Sequence, residues 1–340
     1  MSDKIRWGIL GTGNIARQFA EGVKQSRRGT LAAVASRSAA SAQTFAADFG
    51  AARAHGDYRR LIDDAGVDAI YISLPNSMHH EWTIAALNAG KHVLCEKPIA
   101  SQAKQAAEMF DAAERNKRVL VEAFMYRSHP LTLAVVEAMR SGIIGELQLI
   151  RTSFCFCTRS IANNIRFNAE LHGGSLMDVG CYCINFSRLH ARSEPEKMHA
   201  SARLHSSGVD ELAAGTLTFG GGLLASFVCG MTTQTDNTAY LCGTDGYIEI
   251  PIPWKPPTGE AIYVLSHSAP PRMDKPGTRP GTELPRDVRR VPVEGHLYGI
   301  EADDFASAVI DGNPPRLTRA DTLGNMRVLD ELRRQVGVKV

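Results

Sequence analysis

The sequence contains no apolar run near the roughly 18–20 residues needed to cross a bilayer, which excludes a membrane-spanning helix. It has little net charge: 38 Lys and Arg against 36 Asp and Glu leave +2. No chain-wide field draws it to nucleic acid or to an anionic membrane surface, and neither partner is expected. Seven cysteines form no complete set of pairs, so reduced thiols and a cytoplasmic setting are the simpler reading. No signal peptide is expected, since Met1-Ser2-Asp3-Lys4 leads at once into a strand-like run.

What is present is ordinary for a globular protein, with 44% hydrophobic and 22% charged residues. At 340 residues the chain has material for one or two domains. Its first 125 residues alternate short apolar runs with helical spacing. Ile5–Leu10, Leu31–Ala35, Ala69–Leu74, His92–Cys95 and Val119–Val121 read as buried strands. Ile15–Lys24, Ser41–Phe49, Glu81–Ala89 and Ser101–Asn116 read as helices capped at Ser41 and Ser101. This alternation predicts a parallel, doubly wound α/β sheet over residues 1–125.

Residues 126–340 change character. After a helix at Leu131–Ser141 come strand candidates at Leu147–Phe156, Lys197–His205, Ala213–Phe219 and Leu223–Cys229, the last two joined by a turn at Gly220-Gly221-Gly222. An α+β domain with an open, mostly antiparallel β-sheet is expected. Ser266–Pro292 carries six prolines among its arginines and reads as irregular. Helices return at Gly299–Ile310 and Arg319–Gln335.

Gly11-Thr12-Gly13-Asn14-Ile15-Ala16 is a G-x-G-x-x-A run between the first strand and the first helix. The first glycine permits a tight turn, the second lets backbone approach a pyrophosphate, and the small last residue brings helix and strand together. The helix N-terminus then faces the anion. Gly-rich turns are common in isolation, but in the first strand–helix turn of an alternating pattern the run signals a dinucleotide-binding Rossmann domain. A further absence lies at the end of the second strand. Enzymes using NAD usually place Asp or Glu there for the ribose 2′-hydroxyl, yet no acidic residue occurs between Glu21 and Asp48. Ser36 and Arg37 stand in its place and suit a 2′-phosphate, unless Arg37 is only a solvated loop charge. NADP is the expected cofactor, with NAD the alternative.

Cys95-Glu96-Lys97-Pro98 closes the fifth strand, so Lys97 should point into the crevice at the carboxyl ends of the sheet. Related signals are Pro75-Asn76-Ser77-Met78-His79, Gly90-Lys91-His92-Val93 and Glu122-Ala123-Phe124-Met125-Tyr126-Arg127. A last one is Gly173-Gly174-Ser175-Leu176-Met177-Asp178-Val179-Gly180-Cys181-Tyr182. With these motifs the chain resembles the glucose-fructose oxidoreductase / inositol dehydrogenase / MocA family over nearly its whole length. The resemblance implies a Rossmann domain followed by an open-faced β-sheet domain, homodimers or homotetramers often joined through that sheet, and no metal. It implies that Lys97 is the essential lysine of the E-K-P motif and that Asp178 and Tyr182 are the polar pair of the D-x-x-x-H/Y motif. The tyrosine resembles the branch holding dihydrodiol and xylose dehydrogenases. Leu74, Asn76, His79 and Glu96 join Gly11, Thr12, Gly13, Asn14, Ile15, Ser36, Arg37 and Lys97 as expected cofactor contacts. Tyr126, Arg127 and His172 are expected at the substrate crevice, His172 standing where the family usually has the first of three glycines.

Elementary chemistry agrees with this reading. Asp178 and Tyr182 are four residues apart and share a helix face. An alcohol that loses hydride must also lose a proton. Free tyrosine titrates at about 10, so Lys97 is expected to favour the phenolate and lower that value. Asp178 is too weak a base to act alone, and is expected to bind a sugar hydroxyl or orient Lys97. Cys155-x-Cys157 and Cys181-x-Cys183 read as small buried hydrophobes rather than metal ligands. The expected activity is NAD(P)-dependent hydride transfer to or from a sugar, polyol or related hydroxy or keto compound. Alternatives are a trans-dihydrodiol dehydrogenase, a dicarbonyl or ketosugar reductase and, in another class, a non-catalytic nucleotide-sensing regulator, against which the retained Lys97 and Tyr182 argue.

Overall fold

The computed structural model describes residues 3–267 and 286–340. Its first sheet contains β1 (Ile5–Leu10), β2 (Gly29–Ala35), β3 (Arg53–His55), β4 (Ala69–Ile72), β5 (His92–Glu96) and β6 (Leu120–Ala123). All pairings are parallel, in the order β3-β2-β1-β4-β5-β6. The apolar runs of β4 and of β1 from Trp7 onward follow from burial on both faces. Chain order reverses between β1 and β4, and there a crevice opens at the carboxyl ends. The crossovers are made by α1 (Asn14–Gln25), α2 (Ala39–Phe49), α3 (Tyr58–Ile62), α4 (Asn76–Asn88) and α5 (Ala103–Arg115). Two caps differ from expectation. Ser38 caps α2 by accepting from the Ser41 N–H at 3.2 Å, and Gln102 precedes α5 without a side-chain cap. Strand β3 and helix α3 were not anticipated, because three and five residues are too short for a periodic signal.

Helix α6 (Pro130–Arg140) leads into the second sheet. It is built from β7 (Leu147–Cys155), β8 (Lys197–Leu204), β9 (Asp210–Thr218), β10 (Leu224–Gly230), β11 (Ala239–Gly243), β12 (Gly246–Ile250), β13 (Gly259–His267) and β14 (Arg286–Val293). The order is β14-β13-β12-β11-β7-β10-β9-β8, antiparallel except between β7 and β10. The described ends of the stretch read as irregular are strands instead: Ser266 and His267 finish β13, and β14 pairs with it. Pro292 fits there because, among the described residues, β14 is the sheet's edge and one side of it has no partner to bond. Residues 268–285 lie outside the described residues.

Helix α7 (Cys181–Ala191) packs on β7 and β10, and α9 (Arg319–Gln335) on α5. Helix α8 (Leu297–Ala306) returns to α1. A Cβ on Gly22 would stand 2.7 Å from the Gly299 nitrogen, so only glycines let the two helices approach this closely. Beneath them the rings of Trp7 and Phe305 lie 5.0 Å apart. The end of the chain thus completes the core of its beginning, and one continuous apolar cluster runs through both sheets. Among the described residues, no helix is long and apolar enough to cross a membrane.

Candidate active site

Gly11 turns the chain out of β1 with φ +104°, where a Cβ would press on the Ser73 carbonyl oxygen at 3.1 Å. A Cβ on Gly13, at the start of α1, would meet nothing within 4 Å. The first turn of α1 has neither a side-chain cap nor an acidic residue. Free N–H groups, open space before Gly13 and a buried Ala16 behind it fit a pyrophosphate. Ser36 donates its N–H to the His55 carbonyl, and its hydroxyl accepts from the Ser38 N–H. Arg37 is exposed and forms no ion pair among the described residues, with the Tyr58 hydroxyl nearby.

Where the strands end, a cleft of about 470 Å³ lies between the two sheets. Ile15, Leu74, Asn76, His79, Glu96 and Lys97 line it from the first sheet's side. Phe154, Phe156, Arg166, Asp178, Tyr182 and Lys255 line it from the second. Lys97, in a cis bond to Pro98, donates from Nζ to the Asp178 carbonyl at 2.5 Å and to its Oδ1 at 3.2 Å. Arg166 Nε donates to the other carboxylate oxygen at 2.6 Å. Burial works against the Asp178 charge, but Lys97 and Arg166 outweigh it and hold the carboxyl below its usual range. Burial likewise works against the Lys97 cation, and Asp178 leads the groups that outweigh it, so its pKa rises. Both groups are therefore charged at neutral pH.

Tyr182 is 4% exposed, its ring set among Phe124, Phe154 and Trp254. Its hydroxyl donates to Met125 Sδ at 3.4 Å, and Lys97 Nζ lies 5.0 Å from its ring centre. Burial, and then the carboxylate of Glu96, push the phenol well above its usual 10. The expected lowering is absent in this arrangement. Lys97 faces the ring rather than the oxygen, and Asp178 neutralises most of its field.

Asp178 sits in a π-helical turn, Leu176–Gly180, that leads into α7 and its Tyr182. Asp210, on β9, caps this segment from outside: its Oδ2 accepts from the Ser175 hydroxyl and from the Leu176 N–H, each at 2.6 Å. In the preceding turn His172 adopts φ +53°, and a Cβ on Gly173 would stand 2.2 Å from the Arg166 carbonyl. The Gly174 N–H donates to that carbonyl at 2.8 Å, so the turn braces Arg166.

Some sequence candidates lie elsewhere. His172 reaches the site only through its carbonyl, which accepts from Asn76 Nδ2 at 2.8 Å, and its side chain does not line the cleft. Tyr126 and Arg127 both donate to Asn185 Oδ1, at 2.5 and 3.1 Å. Arg127 lines a separate concavity of about 550 Å³ with Arg188 and His190. A 3₁₀ turn at Met125–Ser128 carries Met125 into the cleft and sends the next two side chains inward. His79 is buried with its ring nitrogens 2.9 Å from the Pro98 carbonyl and 2.8 Å from that of Leu74, and burial keeps it neutral. It ties α4 to the turn carrying Lys97. Arg166, in the short 3₁₀ turn Ile165–Phe167, and Lys255, in a loop, were missed because neither segment carries a periodic pattern. Among the cysteines, Cys157 is exposed rather than buried. Among the described residues, no His, Cys, Asp and Glu cluster is placed to hold a metal.

A parallel sheet with a glycine turn at its switch point, joined to an open sheet that closes its crevice, is the architecture of an NAD-binding oxidoreductase. Comparison with known proteins identifies the group. Residues 5–124 match the oxidoreductase family with an NAD-binding Rossmann fold, and residues 132–249 match the GFO/IDH/MocA C-terminal domain. The chain belongs to the GFO/IDH/MocA family. It is 34% identical to D-xylose 1-dehydrogenase (NADP(+)) 2 of Haloferax volcanii over 330 residues, 96% of each chain. It is 31% identical to trans-1,2-dihydrobenzene-1,2-diol dehydrogenase of Danio rerio over 339 residues, covering 98% of this chain and 97% of that one. Among solved structures it is similar to the 3-ketoreductase KijD10 of Actinomadura kijaniata in complex with NADP and TDP-benzene. The TM-score is 0.88 at 27% identity, over 98% of both chains.

Proposed function

We propose that this protein is an NADP-dependent dehydrogenase or reductase acting on a CH–OH or carbonyl group of a sugar, polyol or related compound. The observation that carries the reading is the Lys97 ammonium, held by Asp178 over Tyr182 at the crevice between β1 and β4. Arg37, exposed and without an ion pair among the described residues, favours NADP, as does the similarity to an NADP(+)-dependent xylose dehydrogenase and to a 3-ketoreductase holding NADP. Bound there, a nicotinamide supplies or accepts the hydride. Lys97 holds the substrate oxygen, and Asp178 holds Lys97. Tyr182, protonated through the neutral range, gives its proton to that oxygen in reduction and takes one back in oxidation. The aromatic wall of Phe154 and Phe156 favours a second reading, oxidation of a ring trans-dihydrodiol. The free thiols suit a cytoplasmic enzyme. Exposed Leu204, Leu224 and Val288 on the second sheet suit a homodimer or homotetramer.

Steady-state kinetics in both directions test the chemistry. Tyr182→Phe and Lys97→Met should each lower turnover by about 10²–10⁴-fold with little change in NADPH affinity. Together they should cost much less than the product of the two. Because the phenol titrates well above 10, the reductive rate should stay flat to at least about pH 9, while oxidation climbs with pH. Near-normal turnover by Tyr182→Phe would refute the assignment.

A further inference from the structure

The cleft holds three cations, and a single carboxylate serves two of them. Lys97 and Arg166 share Asp178, at 3.2 and 2.6 Å. Lys255, in the loop between β12 and β13, lines the same cleft and has no hydrogen bond or ion pair among the described residues. The other acid there, Glu96, is buried, accepting from the Tyr71 hydroxyl and, at 3.3 Å, from the Lys97 N–H. Burial and then repulsion from Lys97 lower the pKa of Lys255 and outweigh the pull of Glu96 and Asp178, neither of which is within ion-pair distance of it. Among the described residues Arg166 hydrogen-bonds to Asp178 through Nε alone, and its terminal amino groups have no partner. The edge formed by its two terminal amino groups remains open to a bidentate acceptor. Excess positive charge and an unused guanidinium edge in one concave, aromatic-walled site are complementary to an anion.

We propose that the substrate carries an anionic group, a carboxylate or a phosphate, held by Lys255 and the open edge of Arg166 while its reacting oxygen lies at Lys97. This rests on the cleft being the substrate site, as argued above. Lys255 then determines specificity, since a neutral substrate would cover a cation that no carboxylate contacts and an acidic one would neutralise it.

Isothermal titration of the NADPH-loaded enzyme with D-glucose, D-glucuronate and D-glucose 6-phosphate tests this without requiring turnover. At least one acidic sugar should bind about 10- to 100-fold more tightly than glucose, as charge-assisted contacts do. The preference should weaken with added salt. Glucuronate as the tighter ligand assigns a carboxylate, the sugar phosphate a phosphate. Lys255→Gln should remove most of the preference and Lys255→Arg should retain it. Neither acid binding better than glucose, or a preference that survives Lys255→Gln, would overturn the proposal. So would a Lys255→Gln variant whose main loss is in NADPH affinity, which would assign the charge to the cofactor's phosphates. An intact anion preference without any hydride transfer would instead refute the redox reading and leave the anion subsite standing.

Discussion

Glu122 is buried at the end of β6, where one carboxylate oxygen accepts the Ile99 N–H at 3.0 Å and the other has no partner among the described residues. It belongs to a family motif, yet it serves the site by fixing the turn after Lys97 and Pro98. Burial lifts its pKa from 4.5 to about 7. A raised folded-state value means that stability is fully present below the unfolded pKa of 4.5 and is lost as pH rises to about 7. The loss is at most about 3 kcal/mol. Glu122→Gln keeps the acceptor and removes the charge, so its denaturant midpoint should exceed that of the wild type at pH 8 and match it at pH 4.5. An equal difference at both pH values would contradict this account.

Single elements decide which nucleotide fits. The turn between β2 and α2 uses Ser38 as the helix cap and Ser36 as a backbone strut, which leaves Arg37 at the surface beside the Tyr58 hydroxyl, without an ion pair among the described residues. Its exposure makes the guanidinium inexpensive to keep charged, and its lack of an ion pair leaves it open to a 2′-phosphate. Loss of one such contact should weaken NADPH binding about 10- to 150-fold. Dissociation constants of wild type and Arg37→Ala for NADPH and NADH measure this, with NADH little changed. Equal wild-type affinity for both cofactors would remove the basis for preferring NADP.

At the scale of the whole molecule, the chain returns to where it began. Residues 1–125 contain the glycine turn and Lys97, but α8 covers α1 through Gly22 and Gly299, and Phe305 covers Trp7. Ser26 donates to Asp303 Oδ1 at 2.5 Å across the same contact. A fragment ending at residue 125 would uncover Trp7, one of the largest fully buried side chains, on the side where Phe305 packs. That fragment should therefore aggregate or unfold, and fail to bind NADPH when followed by circular dichroism and fluorescence. Adding back residues 286–340 in trans should restore part of the binding. A fragment that folds and binds on its own would show residues 1–125 to be self-sufficient.

Local signals reached far in this protein. Buried parallel strands need apolar runs and a pyrophosphate turn needs its glycines, so the glycine turn and five of the six strands of the first sheet were legible to within a few residues, and only the three-residue β3 was missed. Lys97, Asp178 and Tyr182 were legible as motifs because each sits at the end of a strand or the start of a helix. Tertiary packing decided the rest. Tyr126 and Arg127 face inward because a 3₁₀ turn rotates them, a detail no periodicity carries. Strand β14 forms despite its proline because it lies at an edge, and sheet order is not written in a strand. Tyr182 is pushed upward because burial and then the Glu96 carboxylate disfavour its phenolate, while the Lys97 ammonium lies over the ring. The sequence names the groups that meet, whereas their charges depend on distances and burial that arise only when the two sheets close on one another.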